Sequence, residues 1–193
     1  TQDEGIPEFN FNNYGSSHPM LKGFYYRLYF GVTVCNQYLN NFGDVDKQKT
    51  AEVRFIRALD YYLLMDAFGN IPFTEEVSAK PSPQHSRKQM YDYIEKELLA
   101  IEPDLMTPRA KTSSDPDYGR VDKAAVWMLL SRLYLNAEVY TGTPQWQKAA
   151  DYAKQVINSP YHLYTGATVN GWTAYQQLFM GDNGENGASV EAV

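Results

Sequence analysis

A recurring helical spacing of apolar residues is the feature that most constrains how this 193-residue chain can fold. Apolar side chains return at intervals of three and four residues, which is the spacing of one face of a helix with about 3.6 residues per turn. The pattern predicts five helices, at about residues 20–42, 47–68, 86–102, 121–139 and 144–158. We therefore expect an all-α fold in which each helix buries an apolar face.

Capping residues mark the start of three of these helices. Asp46 is a suitable N-cap for the second helix, because its carboxylate can accept from an unpaired backbone N–H of the first turn. Ser86 and Gln89 form a capping box for the third helix. Thr143 predicts a cap for the fifth helix, with Pro144 at the first helical position, where a missing N–H costs nothing.

Three segments lack helical periodicity and are predicted to be irregular. Residues 1–19 predict an ordered N-terminal loop, and residues 103–120 predict an exposed, mobile loop that contains Lys111. Residues 160–193 predict a loop that leads into the start of a strand. Because the chain begins with Thr1 and ends inside that predicted strand, we interpret it as one partial domain, 1–193, of a longer protein.

Helices four and five carry the residue order of a tetratricopeptide hairpin. Helix four is apolar on nearly every side, which predicts a central position with neighbours on two faces. The pattern of large, small, aromatic, small, packed and proline positions is formed by Trp127, Ser131, Tyr134, Ala149, Ala153 and Pro160. We expect Trp127 and Trp146 to be core residues and helices two and three to form a more divergent hairpin. The predicted architecture is a right-handed superhelical scaffold of tetratricopeptide-like hairpins with irregular loops.

The amino-acid composition argues against several classes of protein. With 44% apolar and 15% aromatic residues, the chain is not expected to be disordered. A net charge of −6 is unfavourable for binding the phosphate backbone of nucleic acids. The single cysteine, Cys35, cannot form an intramolecular disulfide, and the three histidines are too dispersed for a transition-metal site. We predict no metal and no cofactor, and no apolar run reaches the ~18 residues of a membrane span.

Several motifs resemble, in the expected order, those of the SusD/RagB family. The first is AEVRFIRAL at residues 51–59, continued by FGNIPF at 68–73, and the second is GRVDKAA at 119–125, running into LLSRLYL at 129–135. WQKAA at 146–150 with VINS at 156–159 resembles the third landmark. Residues 178–179, 185–186 and 189–191 resemble the strand that follows the helical core of the family.

The resemblance implies a nutrient-binding lipoprotein on the outer face of the outer membrane, with its lipid anchor outside this segment. Such a protein captures oligosaccharides or polysaccharides and delivers them to a TonB-dependent SusC-like transporter without catalysing a reaction. The helical hairpins would mainly form the surface that contacts the transporter, and the ligand would bind to loops on the opposite side.

Five residues are candidates for glycan binding, because proteins hold neutral sugars with aromatic rings and amide or other polar groups. By their position in the family, the first four are Phe11, Asn12, Tyr14 and His18. Trp172, with Tyr175 close by, could form a second stacking surface. The alternative for the N-terminal rings is that they fasten the loop to the first helix, and for Trp172 that it closes the end of the helical core.

Two other functions remain open. A tetratricopeptide adaptor would bind a peptide or protein partner in a concave groove, although the small apolar residues of helix four argue against an open groove. A glycosidase needs two carboxyl groups ~5–10 Å apart, one of them with a raised pKa. The nearest pairs in sequence, Asp115 with Asp117 and Asp182 with Glu185, lie in polar turns where solvation keeps carboxylates ordinary. We therefore predict a protein that is not an enzyme.

Overall fold

The structure, a computed structural model, describes residues 5–190 and is mainly helical, which confirms the predicted all-α class. A 3-10 turn, Glu102–Asp104, follows α4. The helices are α1 (Ile6–Asn10), α2 (Pro19–Phe42), α3 (Lys47–Phe68), α4 (Arg87–Ile101), α5 (Lys123–Leu135), α6 (Ala137–Thr141), α7 (Trp146–Ile157) and α8 (Ala174–Gln177). A short antiparallel pair of strands, β1 (Ile71–Pro72) and β2 (Gln84–His85), joins α3 to α4.

Neighbouring helices pack in the order that the tetratricopeptide-like prediction requires. Helix α2 packs against α3, α3 against α4, and α5 against α7. One continuous apolar core joins these helices. Its fully buried side chains include Tyr61, Leu64, Met65, Ile94, Leu98, Leu130 and Leu133. The predicted scaffold of helical hairpins therefore agrees with the observed packing.

Capping explains where α3 and α4 begin. The Asp46 carboxylate accepts from the Lys49 N–H at 3.1 Å, and α3 then spans the predicted residues. In α4 the Ser86 hydroxyl accepts from the Gln89 N–H at 3.2 Å. The Gln89 side chain in turn accepts from the Ser86 N–H at 2.8 Å, so the predicted capping box is present.

The predicted start of the fifth helix is wrong. Helix α7 begins at Trp146, and its N-cap, Gln145, makes no side-chain capping bond. The reason is that Gly142, with φ 77°, ends α6 in the left-handed conformation. The Thr143 N–H then bonds to the Thr141 hydroxyl at 3.1 Å, which makes Thr143 part of the turn.

The predicted fourth helix is divided into two. The Asp122 carboxylate caps the Ala124 N–H at 2.9 Å, so α5 begins later than predicted. It ends at Leu135, and its C-cap is Asn136, whose side chain donates to the Arg132 carbonyl at 3.0 Å. Helix α6 follows. Trp127, predicted to be a core residue, is half-buried on α5. The core position predicted for Trp146 is wrong, because that ring is 60% exposed at the first turn of α7.

The irregular segments also depart from prediction. The predicted N-terminal loop contains α1, and residues 1–4 lie outside the described range. Lys111, predicted to be exposed, is buried because its ammonium donates to the Asp122 carboxylate at 3.0 Å. The described residues between 160 and 190 contain a short helix and turns but no strand element, and residues 191–193 of the predicted strand are not described.

Candidate functional site

The N-terminal segment, residues 5–18, folds back on the start of α2. Gly5 has φ 100°, a left-handed conformation that side chains disfavour, and its backbone packs directly against the His18 imidazole. The Phe9 ring lies 4.5 Å from the Tyr14 ring and 4.6 Å from the His18 ring, measured between centroids. These contacts hold a five-residue helix that is too short to be stable by itself.

His18 is a structural residue of this segment. It is 8% exposed, and its Nδ1 accepts from the Met20 N–H at 3.2 Å as the N-cap of α2. Its Nε2 is buried and has no hydrogen-bond partner within residues 5–190. Both ring nitrogens are thus turned to the protein interior, and a direct glycan contact of His18 stays an untested prediction that this geometry does not favour.

Three other predicted residues stay accessible in the same segment. Phe11 is 76% exposed, directly after the end of α1, and Tyr14 is also exposed. Asn12 lies between them with φ 52°, a left-handed conformation that asparagine tolerates better than most residues. The segment thus presents two aromatic rings and an exposed amide. Phe9, which was not among the predicted site residues, contacts the Tyr14 ring.

The predicted residue Trp172 lies in a different part of the chain, at the end of a tight turn. Val169 and Trp172 exchange two backbone hydrogen bonds of 2.9 and 3.0 Å. Asn170 and Gly171 between them have φ 50° and 83°, the left-handed pair of a type I′ turn. Trp172 is 47% exposed, so it does not close the end of the core.

Two further aromatic residues follow Trp172 along the chain, Tyr175 on α8 and Phe179 in the turn after α8 ends at Gln177. Tyr175 and Phe179 have their ring centroids 5.2 Å apart with an interplanar angle of 67°. Phe179 lies in the turn after α8, so no helical spacing marks it in the sequence. Trp172 and Phe179 line one open concavity of ≈ 620 Å³, together with Gln176, Met180, Gly181 and Asp182.

The charged residues of the first sequence motif, Glu52, Arg54 and Arg57, form ion pairs within the protein. Arg54 donates two hydrogen bonds to Glu97, at 2.7 and 2.9 Å, and Arg57 reaches the same carboxylate at 3.4 Å. Burial by itself would raise the pKa of Glu97, but the hydrogen bonds and charges of the two arginines hold that pKa below its ordinary value. Glu52 pairs instead with Arg120 at 2.8 Å. The pairs with Glu97 join α3 to α4, and the Glu52–Arg120 pair joins α3 to the loop before α5, so these charges have structural partners.

The carboxylates considered for glycosidase chemistry are engaged elsewhere. Asp115 bonds to Arg109, which lowers the pKa of Asp115 to about 2, and Asp117 also contacts Arg109. Such a carboxyl cannot serve as a general acid near neutral pH. Asp182 accepts from the Asn186 amide at 3.3 Å, and Glu185 accepts from the Ser113 hydroxyl at 3.2 Å.

One carboxyl group does have a raised pKa. Burial raises the pKa of Asp60 to about 6, in a groove of ≈ 520 Å³ between α2 and α3. The other residues of this groove are mainly apolar, and Asp60 is its only carboxylate among the described residues. The groove therefore lacks the pair of carboxyl groups that glycoside hydrolysis requires.

Within residues 5–190, no three His, Cys, Asp or Glu side chains lie close enough together to bind a metal ion. None of the helices described is both long and apolar enough to cross a membrane.

Comparison with known proteins identifies the family. No family model matches the sequence. The whole chain is 36% identical, over 196 residues, to the starch-binding protein SusD of Bacteroides thetaiotaomicron, and it spans 33% of that protein. The chain therefore corresponds to about one third of this relative.

Solved structures share the fold. A laminarin-binding SusD-like protein superposes with a TM-score of 0.71 at 24% identity, over 94% of this chain and 39% of its own length. A SusD-like protein from Bacteroides fragilis gives a TM-score of 0.70 at 23% identity, over 92% of this chain and 34% of its own. The similarity to SusD along the whole sequence, together with this shared helical fold, shows that the chain belongs to the SusD/RagB family.

Proposed function

We propose that the full-length protein captures oligosaccharides, and that Phe11, Asn12 and Tyr14 form its stacking site. The observation that carries this proposal is the exposed Phe11 ring on a segment that Phe9 and His18 anchor from behind. A sugar presents apolar C–H groups to an aromatic face and hydroxyl groups to an amide. The starch-binding activity of the relative SusD supports a glycan as the ligand.

The proposal extends to delivery of the captured glycan. A lipid anchor would tether the protein to the outer face of the outer membrane, where it would pass the ligand to a TonB-dependent SusC-like transporter. Membership of the SusD/RagB family supports this part of the proposal. The helical hairpins would contact the transporter and leave the N-terminal segment free for the ligand.

The proposed activity is binding without hydrolysis. A retaining or inverting glycosidase needs an acid and a second carboxylate on opposite sides of the sugar bond. Asp115 and Asp117 are held by Arg109, and the protonatable Asp60 lies in a mainly apolar groove. These arrangements support capture of an intact glycan.

Replacing Phe11 by alanine in the full-length protein tests the site. Loss of one stacking ring should weaken binding to starch or laminarin by about fivefold, which corresponds to ~1 kcal/mol. Since the ring is exposed, we expect the free energy of unfolding to change by less than ~0.5 kcal/mol. Affinity electrophoresis measures the binding, and thermal unfolding measures the stability.

Phe30→Ala is the matched control, because Phe30 is also an exposed phenylalanine but lies on α2, outside the N-terminal segment. Unchanged glycan affinity in Phe11→Ala would contradict the site. A large loss of stability would show that the ring belongs to the core. Tyr14→Ala should weaken binding too, but it also removes a contact to Phe9 and is expected to cost more stability.

A further inference from the structure

We propose that Trp172 and Phe179, with Tyr175 beside them, form a second carbohydrate-stacking platform that binds a neutral oligosaccharide independently of the N-terminal segment. This inference rests on the proposed function, because it assigns a second site for the same class of ligand. We call these three residues the α8 platform.

The exposure of the rings is the first argument. Tyr175 is 69% exposed and Phe179 is 74% exposed. Phe179 lines the same concavity as the half-exposed Trp172, and the Tyr175 ring contacts the Phe179 ring. Large apolar side chains that cluster on a protein surface commonly mark a binding site. The concavity of ≈ 620 Å³ between Trp172 and Phe179 is shallow and open to solvent, so both rings are accessible from outside.

The backbone beneath the rings is held in place, which is the second argument. Gln177 is buried, and its side-chain amide donates to the carbonyls of Ala167 and Trp172 at 2.9 and 3.0 Å. Asn186 donates to the Gln177 carbonyl at 3.1 Å. The loop and α8 are thereby joined, so less conformational freedom is lost when a ligand binds.

A capping box fixes α8 from its other end. The Thr173 hydroxyl accepts from the Gln176 N–H at 3.4 Å, and the Gln176 side chain accepts from the Thr173 N–H at 2.9 Å. Thr173 directly follows Trp172, so the cap also fixes the backbone that carries the indole.

Polar side chains at the edge of the concavity favour a sugar over a purely apolar ligand. Gln176 and Asp182 line it beside the rings, and both side chains can bond to hydroxyl groups. Aromatic faces with a few polar groups are the combination that neutral sugars require.

The two proposed sites are built separately. In the part of the chain that the structure describes, Phe9, Tyr14 and His18 make ring contacts with one another, whereas Phe179 makes its ring contact with Tyr175. The α8 platform is supported by Gln177 and Thr173, and the N-terminal segment by the start of α2. Either site can therefore be removed without disturbing the other.

Isothermal titration of the full-length protein with maltoheptaose and with laminarihexaose tests the proposal. We expect the Trp172→Ala, Phe179→Ala double variant to lose one equivalent of bound oligosaccharide and to retain the affinity of the N-terminal site. Phe11→Ala should show the reverse pattern. Phe179→Ala alone is the second variant, because its ring is largely exposed and its removal should leave folding intact.

The outcomes separate the two proposals. Unchanged stoichiometry and affinity in the double variant and in Phe179→Ala, with weaker binding in Phe11→Ala, would overturn the α8 platform and leave the proposed function standing. Loss of binding only in the α8 variants would support the platform and refute the N-terminal site. Failure of the wild-type protein to bind either oligosaccharide would contradict both.

Discussion

Glu97→Gln is expected to destabilise the protein strongly, because Glu97 is the shared acceptor of two arginines inside the helical core. Glu97 is 7% exposed and bonds to Arg54 on α3 through both carboxylate oxygens. Arg57, which is also buried, contacts the same carboxylate. Glutamine has nearly the same shape, so the substitution removes the negative charge with little change in packing.

The magnitude follows from the partners that remain. Removing one member of a buried ion pair costs ~3–5 kcal/mol when the other charge is left without a partner. Arg57 keeps Asn36 at 2.9 Å and Glu75 at 2.7 Å, and Arg54 is partly exposed. We therefore expect a loss near the lower end, about 3 kcal/mol of the free energy of unfolding.

Urea unfolding of the full-length protein, followed by circular dichroism at pH 7, measures this loss. Asp92→Asn is the control, because Asp92 pairs with Lys88 at 2.6 Å on the surface of α4, where an ion pair contributes only ~0–1 kcal/mol. A loss below ~1 kcal/mol for Glu97→Gln, or equal losses in the two variants, would refute the reasoning.

The pH dependence provides a second test of Glu97. A carboxyl group whose pKa is lowered on folding stabilises the protein above its unfolded pKa, and this contribution disappears as the pH falls through the folded pKa. The difference between wild type and Glu97→Gln should therefore persist at pH 7 and shrink below about pH 4. A difference that stays constant down to low pH would contradict this account of the ion pair.

Two further predictions concern one buried polar residue, His18, and one half-buried carboxyl group, that of Asp60. His18→Ala should lower the free energy of unfolding by ~1 kcal/mol, since it removes the α2 cap, and should also weaken glycan binding by releasing Phe9 and Tyr14; unaltered melting and binding would contradict this. Asp60→Asn should become increasingly stabilising relative to wild type as the pH rises from about 4 to about 6. The reason is that a pKa raised on folding favours the protonated carboxyl, whose stabilising contribution is lost as the pH rises through the folded pKa. Denaturant unfolding across this pH range checks the prediction, and parallel stability curves would contradict it.

The sequence allowed the long helices to be predicted because their determinants are local. The apolar spacing of α3 and the Asp46 cap both lie within the helix or next to it, and the predicted span agrees with the structure. The Ser86 capping box has the same local character. Signals of this kind do not depend on distant parts of the chain.

Long-range contacts decided the features that were missed. Helix α1 depends on packing between Gly5 and His18, and five helical residues by themselves give no periodic signal. Lys111 is buried because Asp122 and Tyr161 lie within hydrogen-bond distance of its ammonium, which a local pattern does not reveal. The tetratricopeptide motif predicts a core position for Trp146, but its ring lies on the exposed side of α7.

Only part of the candidate site could be predicted from the sequence, because burial depends on long-range contacts. The residue types in the N-terminal segment indicated stacking and amide groups, but the sequence could not distinguish the exposed Phe11 from the buried His18. That distinction depends on how α1 folds back on α2. Whether these residues contact a glycan remains a prediction.

Affinity electrophoresis of the full-length protein in gels that contain starch, laminarin or other polysaccharides tests the central claim most directly, with reducing-sugar release measured in the same samples. We predict that at least one polysaccharide retards the protein and that no sugar is released. Release of sugar would show an enzyme. The absence of retardation on every polysaccharide would contradict glycan capture and favour a tetratricopeptide adaptor that binds a peptide or protein.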